Sequence, residues 1–582
     1  MCSSYLLLSQ ACLGSPLHGF DWFIIVLSLV GTTIFALKMK GDSKTIRDFF
    51  LADRNLPWVA ICFALMATEV SAASYTGVPS LGYSGSLVYL QLAIGAILAR
   101  FIIGYYFVPA FYEDELYSPY QYVGRRFGLG AERVTSALFM LSAIVGQSAR
   151  VFILAKVMQL ITGVSMPTTI LVVAALAVLW AAIGGLRTVV WTNVVQFGVL
   201  VAGALATALF LITQSEGGFS HMLAEASQMG KLRLLDFNFD YALELTIWTG
   251  LFGSTFNTLA SNGADQMNAQ YLFCCRSPGE ARKAIIASSL NQVFVLVLLF
   301  VGIGMFVYCL DYPDQFTDHS GSVNADNIFP LFVAAILPAG LKGLLVAGLL
   351  AAGISSVNAA VAALSQTTLR WLNMSARADM PTDEPAQVQY ARLFILLWGL
   401  ALVVAAFGFQ SMDAYSDVVA LALRLTSFTY GALIGSLLLA FSSSRRTSRG
   451  IAFGASFAVL TAFGMIWHEA WAHYLLIGGV GALVVLWFYA LFHEIEMLPR
   501  IKNQETYVRH AWYLLVGEFP RVIWLLAASA IALSTHWSAL IGDEPLGGQF
   551  NLAWPWYLPM GVGITIVFGY LLGRPAEAQQ SE

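Results

Sequence analysis

Three stretches gather oxygen-bearing side chains inside otherwise apolar sequence: "LMATEVSAASYTG" (65–77), "TFNTLASNGADQMNAQ" (255–270) and "GLLAAGISSVNAAVAALSQTT" (348–368). Their hydroxyls, amides and small residues, with few charges, suit a weakly held monovalent cation and a small polar solute. Hydrolytic chemistry would need a nucleophile–base pair or a metal centre. The segment nearest a metal motif, "HEAWAH" (468–473), places its histidines at i and i+5, so they do not share a helix face, and an enzyme is not expected. Two lone charges stand out. Glu69 lies in the first polar stretch, and Arg150 lies about 25 Å along a helix starting near 133. A guanidinium that deep needs a carboxylate. That carboxylate belongs either to a protein acid such as Glu69 or to a bound solute. Glu69 has two readings of its own: a negative charge or proton site beside the ion, or a hydrogen-bonded residue at a helix break.

The elements that must position these groups are membrane spans. The chain has 582 residues, 58% of them hydrophobic and 11% charged, with mean hydropathy +0.72, the composition of an integral membrane protein. A net charge of −4 gives no sign of a nucleic-acid partner. The expected partners are the bilayer, a solute and its ion, with no obligate protein partner evident. The six cysteines have neither metal-ligand spacing nor a disulfide framework.

Runs of about 20 apolar residues predict fifteen spans, near 20–39, 56–77, 85–110, 133–163, 167–184, 188–214, 241–266, 283–310, 335–368, 388–409, 412–441, 450–467, 471–493, 519–538 and 555–574. With the N-terminus outside, twenty-three of the thirty Lys and Arg residues fall on the inner side, which predicts an N-out, C-in topology in the plasma (cytoplasmic/inner) membrane. The first two polar stretches open two five-helix blocks, 56–214 and 241–441. Five is odd, so the second block enters the membrane inverted. An all-α polytopic fold built on a 5+5 inverted repeat with two broken helices is expected. Around it lie an uncleaved outer tail (1–19), an additional first helix (20–39), peripheral helices (450–493), two extra C-terminal helices (519–574) and a cytoplasmic tail (575–582). For any one polar stretch, close helix packing explains the small residues as well as transport does. Two broken stretches at matching positions favour transport.

The motifs also carry a family resemblance. "DFFLADRNLPW" (48–58), "GGLRTVVWTNVVQ" (184–196), "GADQMNAQYLFCCRSPGEARKA" (263–284), "GLKGLLVAGLLAAGISSVNAA" (340–360) and "SSSRRTSRGIAFG" (442–454) occur in order. The set resembles the sodium/solute symporter family (the sodium/glucose and sodium/proline cotransporters and their kin) from about residue 20 to about residue 490. The resemblance implies sodium-coupled symport by alternating access, with Na⁺ as the coupling ion. It places the sodium ligands at the carbonyls of Ala67, Val70 and Ala352 and the hydroxyls of Ser355 and Ser356. The alternative for the serines is packing or backbone hydrogen bonding.

Arginine near position 150 is similar to the family's sialic-acid branch. That likeness implies a carboxylated solute, such as sialic acid or another organic acid, held by Ser71, Ser74, Gln91 and Arg150. A neutral sugar, proline or pantothenate is the alternative, and a non-transporting solute sensor on the same fold a more remote one. The sugar branch's glutamate and lysine are Ala93 and Asn291 here. Asn193 stands where many members carry an aspartate tied to a second cation or to coupling, and Tyr271 replaces the arginine of "QRYL".

Overall fold

The computed structural model describes residues 17–41, 44–113, 116–313, 328–374, 384–411, 418–442, 448–467 and 553–571. Among them every regular element is helical, and the only strand-like pairing is an isolated parallel bridge between Leu56 and Cys275. Seven helices are long and apolar enough to cross a membrane, or eight if one bent pair is a single span. The expected spans at 471–493 and 519–538 lie outside the described residues.

The chain begins with α1 (Gly19–Met39) and then the bent pair α2 (Trp58–Glu69) and α3 (Ala72–Ser84), whose axes meet at 69°. α4 (Leu92–Ile102) and α5 (Leu129–Thr162) follow, then α6 (Met166–Gln214). At 1.5 Å per residue α6 would be about 74 Å long, twice what a bilayer takes. It is two spans merged across Gly184 and Gly185, where the sequence predicts a boundary. Gly185 has φ +57°, and a Cβ there would run into the Phe49 backbone, so "GGL" supplies both the left-handed turn and the room.

After the surface helix α7 (Gly218–Gln228) the second polar stretch is irregular. π turns at Thr249–Gly253 and Leu259–Ala264 flank the short helix Ser254–Thr258, and extended Asp265 (φ −76°, ψ 124°) caps α8 (Gln266–Leu272). π turns leave backbone groups off the α register and recur at functional sites. α9 (Asn291–Asp311), α10 (Leu341–Met374), α11 (Glu384–Ser411), α12 (Val418–Ser442), α13 (Ser448–Trp467) and α14 (Tyr557–Leu571) complete the described helices.

Burial sorts these helices. The apolar window of α10 is 94% buried, against 22% for α1 and α11, so α10 is central and the other two present their flanks to lipid. Small residues bring α3 and α9 into backbone contact. A Cβ on Gly82 would strike Leu299 O, and one on Gly302 would strike Pro79 O. The entry to α10 is fixed by buried Asp21, whose Oδ1 accepts the N–H groups of Gly340 (2.6 Å) and Gly343 (2.8 Å). A carboxylate is well placed at a helix start. At one end of the bundle the two broken spans are joined. Leu56 N–H donates to Cys274 O (3.2 Å), Tyr112 Oη donates to Leu272 O (2.6 Å) and Cys275 O (3.0 Å), and Arg276 Nε donates to Asn55 Oδ1 (2.9 Å).

One polar tie lies off the spans. His221 Nε2 of α7 is 3.1 Å from Asp311 Oδ1 at the end of α9. The hydrogen bond to Asp311 raises the imidazole above its ordinary value, with Glu225 and Glu216 adding to the effect. A raised histidine stabilises the fold below its unfolded value, about 6.5, and the stabilisation is lost as pH rises through the folded value. The loss of Tm caused by His221→Gln is therefore expected to be greatest near pH 5 and to shrink as the solution becomes alkaline. A difference independent of pH would show that the imidazolium contributes nothing.

Candidate functional site

The site begins with two residues that leave the helix. Val70 (φ −80°, ψ 103°) and Ser71 (φ −93°, ψ 167°) are extended between α2 and α3. The break frees carbonyls in the last turn of α2, and a freed carbonyl in a dry interior must find a partner. The Ala67 carbonyl accepts from Ser355 Oγ of α10 at 3.2 Å. Ser355 Oγ also lies 3.0 Å from Ala352 O, and Ser356 Oγ is 3.0 Å from the same carbonyl. Serines in helices often bond back to their own carbonyls. What sets Ser355 apart is its second acceptor, on another helix. One hydroxyl proton cannot serve two carbonyls at once, so the cluster holds more oxygen lone pairs than protons. Turning the two hydroxyl protons away would present those oxygens to a cation. Four of the five residues assigned to sodium (Ala67, Ala352, Ser355 and Ser356) thus meet directly, and Val70 is the extended residue of the break itself.

Glu69, the last residue of α2, is the second centre. Its Oε1 accepts from Arg100 Nη2 (2.7 Å) and Asn262 Nδ2 (2.8 Å), and its Oε2 from Arg100 Nη2 (2.6 Å) and Asn291 Nδ2 (2.8 Å). Arg100, on α4, also donates from Nε to Ser288 Oγ (3.1 Å) and from Nη1 to Ala96 O (3.3 Å). The arginine side chain is 2% exposed and the carboxylate 14%, so this is a buried ion pair. Removing one partner of such a pair costs about 3–5 kcal/mol because the other charge stays buried. Glu69 therefore meets Arg100, not Arg150.

A neutral network adjoins both centres. Asn193 Nδ2 of α6 donates to Tyr271 Oη (3.0 Å) and Thr68 Oγ1 (3.3 Å), and Asn358 Nδ2 donates to Asn193 Oδ1 (3.4 Å). The two positions at which this sequence departs from acid and base in the family pattern touch each other here, as an uncharged amide–phenol pair.

The residues assigned to a solute are only partly assembled. Ser71 and Ser74 pair at the start of α3, with hydroxyls 3.2 Å apart. Gln91 is buried, its Oε1 accepting from Asp236 N (3.2 Å) and its Nε2 without a partner among the described residues. Arg150 is half-buried on α5 and makes no hydrogen bond or ion pair among the described residues. Asp265 and Tyr430 feel its charge, while Tyr430 Oη donates to Asp265 Oδ2 at 2.7 Å. No hydrogen bond joins Arg150 or Gln91 to the serines. A cavity of about 400 Å³, lined by residues from 104–113 and 278–282, shares none of these groups. Among the described residues no group of three or more His, Cys, Asp or Glu is placed to hold a metal ion.

Sequence reasoning gave no role to Arg100, Tyr271 or Asn358. Arg100 had a signal: it and Glu69 are both charges inside apolar runs, and each needs an opposite.

Freed carbonyls at a helix break, facing hydroxyls on the most buried span, define a secondary transporter of the broken-helix class. The chain belongs to the sodium:solute symporter family, whose family model matches residues 49–458. It is similar to a putative sodium-dependent multivitamin transporter of Drosophila melanogaster, at 23% identity over 96% of this chain and 87% of the relative. The human sodium/iodide cotransporter is 27% identical over 72% of this chain and 65% of its own length. The mouse sodium-coupled monocarboxylate transporter 2 is 27% identical over 60% of this chain and 56% of its own length. The fold matches a solved Na⁺-coupled sialic acid symporter with TM-score 0.70 and 19% identity, over 81% of this chain and 98% of that one. The protein is thus a multi-pass, sodium-coupled solute symporter and not an enzyme, with Na⁺ as its coupling ion.

Proposed function

We propose that this symporter imports a small carboxylated solute across the plasma membrane by alternating access. In this reading Na⁺ binds the carbonyls of Ala67, Val70 and Ala352 and the hydroxyls of Ser355 and Ser356. The solute is held between Ser71, Ser74 and Gln91, with its carboxylate on Arg150. The observation that carries the solute class is Arg150, a half-buried guanidinium with no hydrogen bond or ion pair among the described residues. Such a group is stabilised by an anion. Relatives named for monocarboxylates and a fold neighbour named for sialic acid are compatible with this class. The remaining parts of the proposal are the fifteen spans, the N-out/C-in orientation, the inverted 5+5 core at 56–214 and 241–441, and the flanking segments. Their support is the charge bias and the two irregular polar spans.

The test is uptake by proteoliposomes under an inward sodium gradient, using labelled carboxylates and their uncharged amides. Carboxylates are expected to accumulate and to stop accumulating when the gradient is collapsed. Equal uptake of the amides would overturn the solute class, and binding without uptake would identify a sensor.

A further inference from the structure

We infer that Arg100, acting through Glu69, is a positioning residue for the coupling sodium. The inference rests on the sodium site proposed above, because it concerns what aims two of that site's carbonyls. Glu69 lies between Thr68 and Val70, at the point where α2 stops. A two-residue extended segment has no helical ladder of its own, and across the break only Val70 N–H bonds back, to Met66 O (3.2 Å). Its geometry is therefore set by side chains, which hold it from three directions. Ser355 takes the Ala67 carbonyl, Asn193 and Tyr271 take the Thr68 hydroxyl, and Arg100, Asn262 and Asn291 take the Glu69 carboxylate.

Donor counting settles what Glu69 does there. Each carboxylate oxygen accepts two hydrogen bonds, which fills the lone pairs that a carboxylate presents in plane. The two asparagine amides are oriented by the carboxylate, since either one flipped would set oxygen against oxygen. Its charge is matched by Arg100. Both oxygens of Glu69 are thus engaged by protein donors, which leaves neither free to ligate sodium. What remains for it is to fix the backbone on either side. Arg100 carries that constraint outward: Nε and Nη1 are fastened to Ser288 and to its own helix, which leaves Nη2 alone to span both carboxylate oxygens. The break is in this way tied to α4, to the π turn that holds Asn262 and to α9.

The experiment measures ²²Na⁺ binding to purified protein, and the half-saturating sodium for solute uptake, in three Arg100 backgrounds. Groups that orient ion ligands typically change affinity by about 10–100-fold when lost. Arg100→Gln is expected to raise half-saturating sodium by about tenfold or more, with the solute KM at saturating sodium moved far less. Arg100→Lys, whose single nitrogen can meet both oxygens as Nη2 does, is expected to recover most of the affinity. Wild-type sodium dependence in a folded Arg100→Gln protein would overturn the inference. If that variant does not fold, the double variant Glu69→Gln/Arg100→Gln leaves no buried charge and decides the matter: raised half-saturating sodium supports the clamp, and an unchanged value refutes it. Ser355→Ala separates the two levels. If it leaves sodium dependence intact, the assigned sodium site is wrong and the inference falls with it. If Ser355→Ala weakens sodium and the Arg100 variants do not, the site stands and the inference alone fails.

Discussion

Replacing Ser355 and Ser356 together with alanine is expected to abolish sodium stimulation of uptake across the usual concentration range. A hydrogen-bonding group that faces a charge is worth about 1.5–3 kcal/mol. Losing two such groups amounts to roughly 3 kcal/mol or more, beyond a hundredfold in half-saturating sodium at 1.4 kcal/mol per tenfold. Damage to the fold is much smaller. The structure loses two hydroxyl donors: Ser355, placed between Ala67 O and Ala352 O, and Ser356, bonded to Ala352 O. A neutral bond nets about 1 kcal/mol, and alanine is the better helix former. The two effects are therefore separable: the Tm of the purified double variant should fall little while sodium dependence disappears. A variant that still responds to sodium as the wild type does would remove the site from this helix.

The second large effect is expected at Arg150. Arg150→Ala should weaken binding of the carboxylated solute by about 10–100-fold, the worth of one charge-assisted bond in a partly dry setting. An uncharged analogue should bind equally to both proteins. Arg150→Lys should fall between, since an ammonium keeps the charge and loses the planar fork. The neighbouring Asp265 does not confuse the reading, because its carboxylate keeps Tyr430 Oη and the Met267 N–H (2.8 Å) when the guanidinium goes. Isothermal titration of wild type and the two variants checks this. Carboxylate affinity unchanged in Arg150→Ala would end the carboxylate reading.

How much of this was legible in the sequence depended on the range of the interaction. The break at residues 69–71 was visible because polar and small residues crowd a span that hydrocarbon would not accept, and "GGLR" announced the turn inside α6. Both are local signals. The double serine was legible through its resemblance, while its link to Ala67 crosses 288 residues and needs the fold. Arg100 was legible as a charge in need of an opposite, but its partner was not. A single arginine inside an apolar run does not name its partner, which sits 31 residues away on another helix. Tyr271 and Asn193 were read as two separate departures, since nothing in a single sequence shows that positions 78 residues apart touch. The second polar stretch was expected to be interrupted near its asparagines. It winds through π turns that take in Ser261, Asn262 and Gly263 and leaves the helix at Asp265.

The junction of the two broken spans at Leu56 and Cys274 bears on the proposed alternating access, because any opening on that side has to undo it. Its ties are a backbone bond, a phenol shared by two carbonyls and a surface amide–guanidinium contact, spread over three segments that must part together. Cys274 and Cys275 lie directly behind them, both fully buried thiols. In the proposed alternating-access cycle, a passage opened there would expose two thiols that are fully buried in this conformation. Labelling of Cys274 and Cys275 by a thiol reagent would then report whether this side is open or shut.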